Sequence, residues 1–140
     1  MSNFNGWLIK FPDVGSNGTL FPHRLIAKES YQTTPLQRTE LKAYRDSNNK
    51  LHRTTSPNYK SKITFTTTPL FLSDLEEIQN IIKYALINTS QRKLRVTYWD
   101  EELLKYRTMT AYMPDKTYTI QTIKKNDIKY NPIEFTFIEY

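Results

Sequence analysis

Apolar and polar residues alternate most clearly between Lys60 and Thr66, where Ile63 and Phe65 point one way while Lys62, Thr64 and Thr66 point the other. A period of two is the mark of a strand with one covered face. The same pattern returns at Leu94, Val96 and Tyr98 against Lys93, Arg95 and Thr97, and again at Ile133, Phe135 and Phe137 near the C-terminal residue Tyr140. Tyr106 to Met113 is the expected hairpin partner of the second run, across a turn at Asp100. Trp7 to Phe11 predicts an opening strand, ended by Pro12-Asp13 and a turn containing Gly15 and Gly18. A second strand is expected from Leu20 to Lys28, and another from Thr117 to Ile123, between turns at Pro114-Asp115-Lys116 and Lys124 to Asp127.

The period changes to three and four only once. Leu75, Ile78, Ile81, Ile82, Ala85 and Leu86 make one apolar stripe behind Ser73-Asp74-Leu75-Glu76. This reads as a helix over residues 73–87, capped by Ser73 and Glu76 and stopped at Asn88.

Residues 39–55 break both rules. Two strand-like arms flank Asp46-Ser47-Asn48-Asn49-Lys50, yet charged or polar side chains occupy both parities: Glu40, Lys42 and Arg45 on one arm, His52, Arg53 and Thr55 on the other. A hairpin packed on its own body would show one apolar side chain in two. The arm is therefore expected to project, into solvent or against another subunit, which makes Glu40, Lys42, Tyr44, Arg45, His52 and Arg53 candidates for a subunit interface. The total is about eight strands with short turns and one helix, which predicts a mainly β fold, an antiparallel sandwich or barrel flanked by that helix, in one domain over residues 1–140.

Composition narrows the chemistry. Among 140 residues there is no Cys, so disulfides, thiolate metal sites and cysteine nucleophiles are excluded. The three glycines lie in no phosphate-cradling spacing, and His23 and His52 form no metal-ligand pair. Asp100-Glu101-Glu102 reads as a charged turn, and Ser56, Ser61 and Ser73 have turn or cap explanations. Catalytic residues, metal and cofactor are all expected to be absent. No apolar run reaches the ~20 residues needed to cross a bilayer, and the N-terminus lacks the pattern of a signal peptide. The chain is thus expected to be made in a cytosol, with no membrane partner, and its Asn17 and Asn88 sequons to be accidental.

Charge opens a different class of reading. Lys+Arg 20 against Asp+Glu 14 gives a formal net charge of +6. Lys60, Lys62, Arg92, Lys93 and Arg95 lie near Tyr59, Phe65, Tyr98 and Trp99, and basic residues interleaved with aromatics are what single-strand nucleic-acid binders present. The alternative nucleic-acid face is accordingly Lys60, Lys62, Arg92, Lys93, Arg95, Tyr98 and Trp99; the plain reading is a solvated basic face.

An opening strand pair, a long polar hairpin, a strand, one helix and a meander to the C-terminus form an order that resembles bacteriophage tail-tube and distal-tail proteins. The wording Ser30-Tyr31-Gln32-Thr33-Thr34-Pro35, Tyr44-Arg45-Asp46-Ser47-Asn48, Leu51-His52-Arg53, Lys60-Ser61-Lys62-Ile63-Thr64-Phe65, Val96-Thr97-Tyr98-Trp99 and Tyr130-Asn131-Pro132-Ile133-Glu134-Phe135 is similar to a family of small tail-cluster proteins of phages and prophages of Gram-positive bacteria. That resemblance implies a virion component assembled in the bacterial cytoplasm, a ring, hexameric in such proteins, at the distal tail or baseplate. Its partners would be copies of itself, neighbouring tube, tape-measure or hub proteins, and passing DNA. A tube or connector ring elsewhere in the tail is the alternative within this class. Trp7, Tyr31, Tyr44, Tyr59, Trp99 and Tyr112 are the aromatic types that would anchor ring contacts.

Overall fold

The computed structural model describes residues 3–37, 40–55 and 60–140, with the side chains of Leu36, Glu40, Leu41, Thr54 and Thr55 not described. Among the described residues there are thirteen strands where the sequence pattern predicts about eight: β1 Ile9–Phe11, β2 Thr19–Leu20, β3 Gln32–Gln37, β4 Glu40–Arg45, β5 Leu51–Thr55, β6 Lys60–Thr66, β7 Leu70–Phe71, β8 Leu86–Asn88, β9 Lys93–Asp100, β10 Lys105–Tyr112, β11 Ile120–Lys124, β12 Asp127–Tyr130 and β13 Glu134–Glu139, with one helix α1 Leu72–Ala85; the alternating runs, β6, β9 and β13, stand at the centre with β10. The large sheet is antiparallel and runs β2-β1-β9-β10-β13-β6-β3, with β8 sharing the β1 edge of β9.

One face of that sheet is the core. Ile63 and Phe65 of β6, Leu94, Val96 and Tyr98 of β9, Met109 and Ala111 of β10, and Phe135 and Phe137 of β13 are all buried in one cluster with Leu70, Ile78, Ile82, Ala85 and Ile133. The helix stripe closes the open side, as its period requires. The fold is a mainly β, antiparallel sandwich with one flanking helix. A small sheet, β11-β12-β7, continues the covering layer. Gly18 holds the β1–β2 turn at φ 78°, and a Cβ there would lie 2.8 Å from Lys10 Cε and 3.2 Å from the Phe11 carbonyl.

Several boundaries differ from the sequence expectation, each for a local reason. The strand expected from Leu20 to Lys28 ends at Leu20. Pro22 has no N–H for a ladder, and the chain turns into a single 3-10 turn, His23–Leu25. The helix starts at Leu72 rather than 73, because Leu70 and Phe71 are still paired with Tyr130 and Lys129. Ser73 therefore falls inside the first turn and does not cap; the Phe71 N–H donates to Asp74 Oδ2 at 3.2 Å, so Asp74 takes the place expected for Glu76. Nor does the helix reach 87: Leu86 pairs with Leu94 in β8, and Asn88 lies in that strand, its Oδ1 accepting from the Gln91 N–H and Ser90 Oγ. The strand expected from Thr117 begins only at Ile120. Ser56 and Tyr59 lie outside the described residues.

The buried polar residues Asp100, Ser61 and Thr67 each have a hydrogen-bond partner. Asp100 is buried; its Oδ1 accepts from the backbone N–H groups of Glu102 (2.9 Å) and Leu103 (3.1 Å), and Arg107 donates to its Oδ2 at 3.1 Å. Tyr98 Oη donates to Ser61 Oγ at 2.9 Å, while the Ser61 N–H donates to Glu139. Burial pushes the Tyr98 phenol above its ordinary range.

Helix packing and edge exposure give a direct contrast in stability. Ile82→Ala, at a site 7% exposed, is expected to lower urea-unfolding stability by about 2–5 kcal/mol. Ile123→Ala, on the fully exposed edge strand β11, should change it by less than about 0.5 kcal/mol.

Candidate functional site

The arm of β4 and β5 forms a sheet of its own, paired to no other strand among the described residues. Its register, Ala43 opposite Arg53, Tyr44 opposite His52 and Arg45 opposite Leu51, sorts the candidates onto two faces. Lys42, Tyr44 and His52 share one; Arg45, Leu51 and Arg53 share the other. Both are open to solvent, Tyr44 at 51% and Leu51 at 44% exposure. The Tyr44 and His52 rings stack at 4.8 Å with Lys42 Nζ 5.4 Å from the Tyr44 centroid. Asp46 orders the tip. Its Oδ1 accepts from the Asn48 and Lys50 N–H groups, its Oδ2 meets His52 Nε2 at 2.9 Å, and Arg45 donates to the Asn49 carbonyl. The His52 hydrogen bond, with the Lys50 N–H, holds the Asp46 carboxyl below its usual range. Asn49 takes φ 63°, a conformation Asn tolerates. Glu40 contributes a backbone position opposite Thr55; its side chain lies outside the described residues.

The outer face of the large sheet gathers most of the basic candidates. Thr34, Lys62, Ile138, Tyr112 and Lys93 stand in one row across five strands. Lys60 Nζ donates to the Tyr140 carbonyl at 2.6 Å, and Lys93 Nζ lies 4.3 Å from the Tyr140 ring, which meets Tyr112 edge-on at 6.0 Å. Arg95, one row on, is bidentate to Asp13 at 2.6 and 3.0 Å, which holds the Asp13 carboxyl low. Between them the face is lined by hydroxyls, with Thr97 and Thr108 Oγ1 2.7 Å apart.

The aromatic half of the predicted nucleic-acid face is not there. Tyr98 is fully buried on the opposite side of the sheet, since it shares parity with Leu94 and Val96. Trp99 has the outward parity but is only 9% exposed, covered by Phe4 at 5.3 Å and Tyr106 at 5.1 Å. Tyr106 stacks in turn on Trp7 at 4.0 Å. Neither Tyr98 nor Trp99 can stack on a base without unpacking its cover. Arg92 stands apart from Lys93 and Arg95, just before β9 at φ 50° and 3.5 Å from Asp115.

Arg92 belongs to a different feature, a cleft of about 370 Å³ between α1 and the segment after β10, which the sequence pattern does not announce. It is lined by Ile82, Leu86 and Met113 together with Arg92, Lys116, Thr89, Gln79 and Tyr118, and Gln79 Nε2 donates to Tyr118 Oη at 2.9 Å. Lys116 Nζ lies 5.0 Å from the buried Phe135 ring. Burial, with the nearby Arg92 charge, pushes its ammonium down to about 8. Among the described residues no three His, Cys, Asp or Glu side chains come together as a metal site would need, and no helix is long and apolar enough to cross a membrane.

Comparison with known proteins gives a family and a fold. The whole chain, residues 1–140, matches a family of unknown function, DUF6711, and belongs to it. No curated protein matches the sequence. Among solved structures, a chain in the tail of an empty GTA (gene transfer agent) particle, reconstructed with C6 symmetry, is similar at a TM-score of 0.54 and 9% identity, over 98% of this chain and 94% of that one. At that identity the likeness concerns the fold.

The Lys116 environment predicts a signature in pH. Its folded-state value of about 8 lies below the ordinary 10.5, so between pH 8 and 10.5 the unfolded chain binds the extra proton and stability rises with pH. Tyr31, pushed up to about 12 by burial, has the opposite slope above its ordinary 10, so the rise is read best between pH 8 and 10. Lys116→Met should flatten it in urea titrations at stepped pH.

Proposed function

We propose that this DUF6711 protein is a structural component of a phage tail, a single tail-tube-like or distal-tail-like domain that assembles into a ring at the distal end or baseplate, without catalytic activity. The observation that carries this reading is the arm. Among the described residues, strands β4 and β5 pair with each other and with no other sheet, and Lys42, Tyr44, Arg45 and His52 meet partners within the arm. Isolated two-stranded hairpins are marginal in water; a hairpin kept for assembly acquires its partner in the ring. Glu40, Lys42, Tyr44, Arg45, His52 and Arg53 are the residues we assign to that contact.

The fold shared with a chain of a C6-symmetric GTA tail supports the tail reading, and six copies is the stoichiometry we adopt. Neighbouring tube, tape-measure or hub proteins would meet the two rims of such a ring. A tube or connector ring elsewhere along the tail rests on the same surfaces, and its position distinguishes it. The nucleic-acid reading is weaker, because its aromatic stacking residues are buried; what the outer face retains is charge, which attracts passing DNA without sequence preference.

Arm variants test the assignment. Shortening the loop around Asp46–Lys50 together with Arg45→Ser and Arg53→Ser should leave the melting temperature nearly unchanged while lowering the fraction of ring-sized particles in mass photometry. A large loss of monomer stability with assembly intact would mean that the hairpin serves the fold and not the ring.

A further inference from the structure

The β9–β10 hairpin carries unlike chemistry at its two ends. At one end the turn presents Glu101 and Glu102 on its surface, followed by Leu103 at 47% and Leu104 at 60% exposure. This turn is rigid. The buried Asp100 carboxylate accepts from the Glu102 and Leu103 N–H groups, the Leu104 N–H donates to the Asp100 carbonyl at 2.8 Å, and Arg107 fixes the carboxylate from behind. Leu104 is held at φ 52°, a left-handed conformation that a bulky residue avoids. Two leucines are thus held out into water by the hydrogen bonds of the turn itself.

At the other end of the same hairpin, roughly 25 Å away at ~3.3 Å per residue, lies the Arg92–Lys116 cleft. Ile82, Leu86 and Met113 supply the apolar part of its lining beside the polar Gln79, Thr89 and Tyr118, and its volume of about 370 Å³ falls within the ~300–1,000 Å³ of ligand-holding clefts. Lys116 is lowered mainly by burial and further by the like charge of Arg92. Asp115, 96% exposed and 3.5 Å from Arg92, compensates only part of that charge.

We propose that the acidic, leucine-bearing turn 101–104 of one copy seats in the Arg92–Lys116 cleft of the next. Leucine side chains would cover the apolar part of the lining, and the glutamates would face Arg92 and Lys116. The two surfaces differ and sit at opposite ends of one rigid hairpin, so the turn cannot reach its own cleft. A contact of this kind is heterologous and repeats from copy to copy. The inference rests on the self-assembling reading above and adds a second contact, independent of the arm.

Charge swapping tests it. Glu101→Lys/Glu102→Lys and Arg92→Glu/Lys116→Glu are each expected to weaken self-association by roughly tenfold or more, as reversed charges at a close interface do, in sedimentation velocity at fixed salt. Mixed in equal amounts, the two variants should regain the wild-type distribution, because each turn then meets a cleft of opposite sign. Melting curves establish folding first; if the double cleft variant does not melt cooperatively, Arg92→Glu alone replaces it. Variants that sediment like wild type, or a mixture that stays as light as its components, would overturn the inference while leaving the ring reading intact. Wild type that remains monomeric in the same runs would instead remove the self-assembling reading, and this contact with it.

Discussion

Phe65 is the side chain around which the sandwich is organised. It stacks on Phe135 at 5.4 Å and 11°, lies within 6.3 Å of the Phe137 ring and 6.1 Å of Tyr31, and meets Phe21 edge-on at 5.0 Å. Those rings come from β13, from the residue before β3, and from the segment after β2. A single buried ring thereby ties the edge of the large sheet to its centre and to the connection that crosses beneath it. Aromatic pairs of this geometry add about 0.5–1.5 kcal/mol each beyond their buried area. With one face committed so fully to the core, the other face of the sheet, the arm and the hairpin ends are left to interact outward.

That division was partly legible in the sequence. Period-two runs at Ile63–Phe65, Leu94–Tyr98 and Ile133–Phe137 specify their buried faces because pleat parity is local, and the helix stripe does the same for α1. The short strands β7 and β8 on either side of the helix carry no period of their own and exist through pairing with β12 and β9. Strand β3 is hidden by its polar Gln32-Thr33-Thr34 and by Pro35, which an edge strand at a register shift accommodates. The helix start is hidden for the same reason: pairing of Leu70 and Phe71 with a distant strand decides where it begins.

For the candidate surfaces the boundary between legible and hidden is similar. The arm's openness follows from polarity at both parities and needs no tertiary information. Tyr98 could have been removed from the nucleic-acid face by parity alone, since it alternates with Arg95 and Thr97. Trp99 could not, because its cover comes from Phe4 and from Tyr106, which is itself stacked on Trp7. Nor does the sequence show that Tyr140 stands among Lys60, Lys93 and Tyr112, or that Arg92 and Lys116 share one cleft, since each depends on how elements far apart in the chain meet.

The account comes down to whether this chain is a built part of a tail. Cryo-electron microscopy of tail particles from a genome that encodes it is the most direct measurement. The expected map shows a ring of six copies at the distal end, with the arm of each ordered against its neighbour. Complete, infective tails containing no copy of the protein would contradict the account.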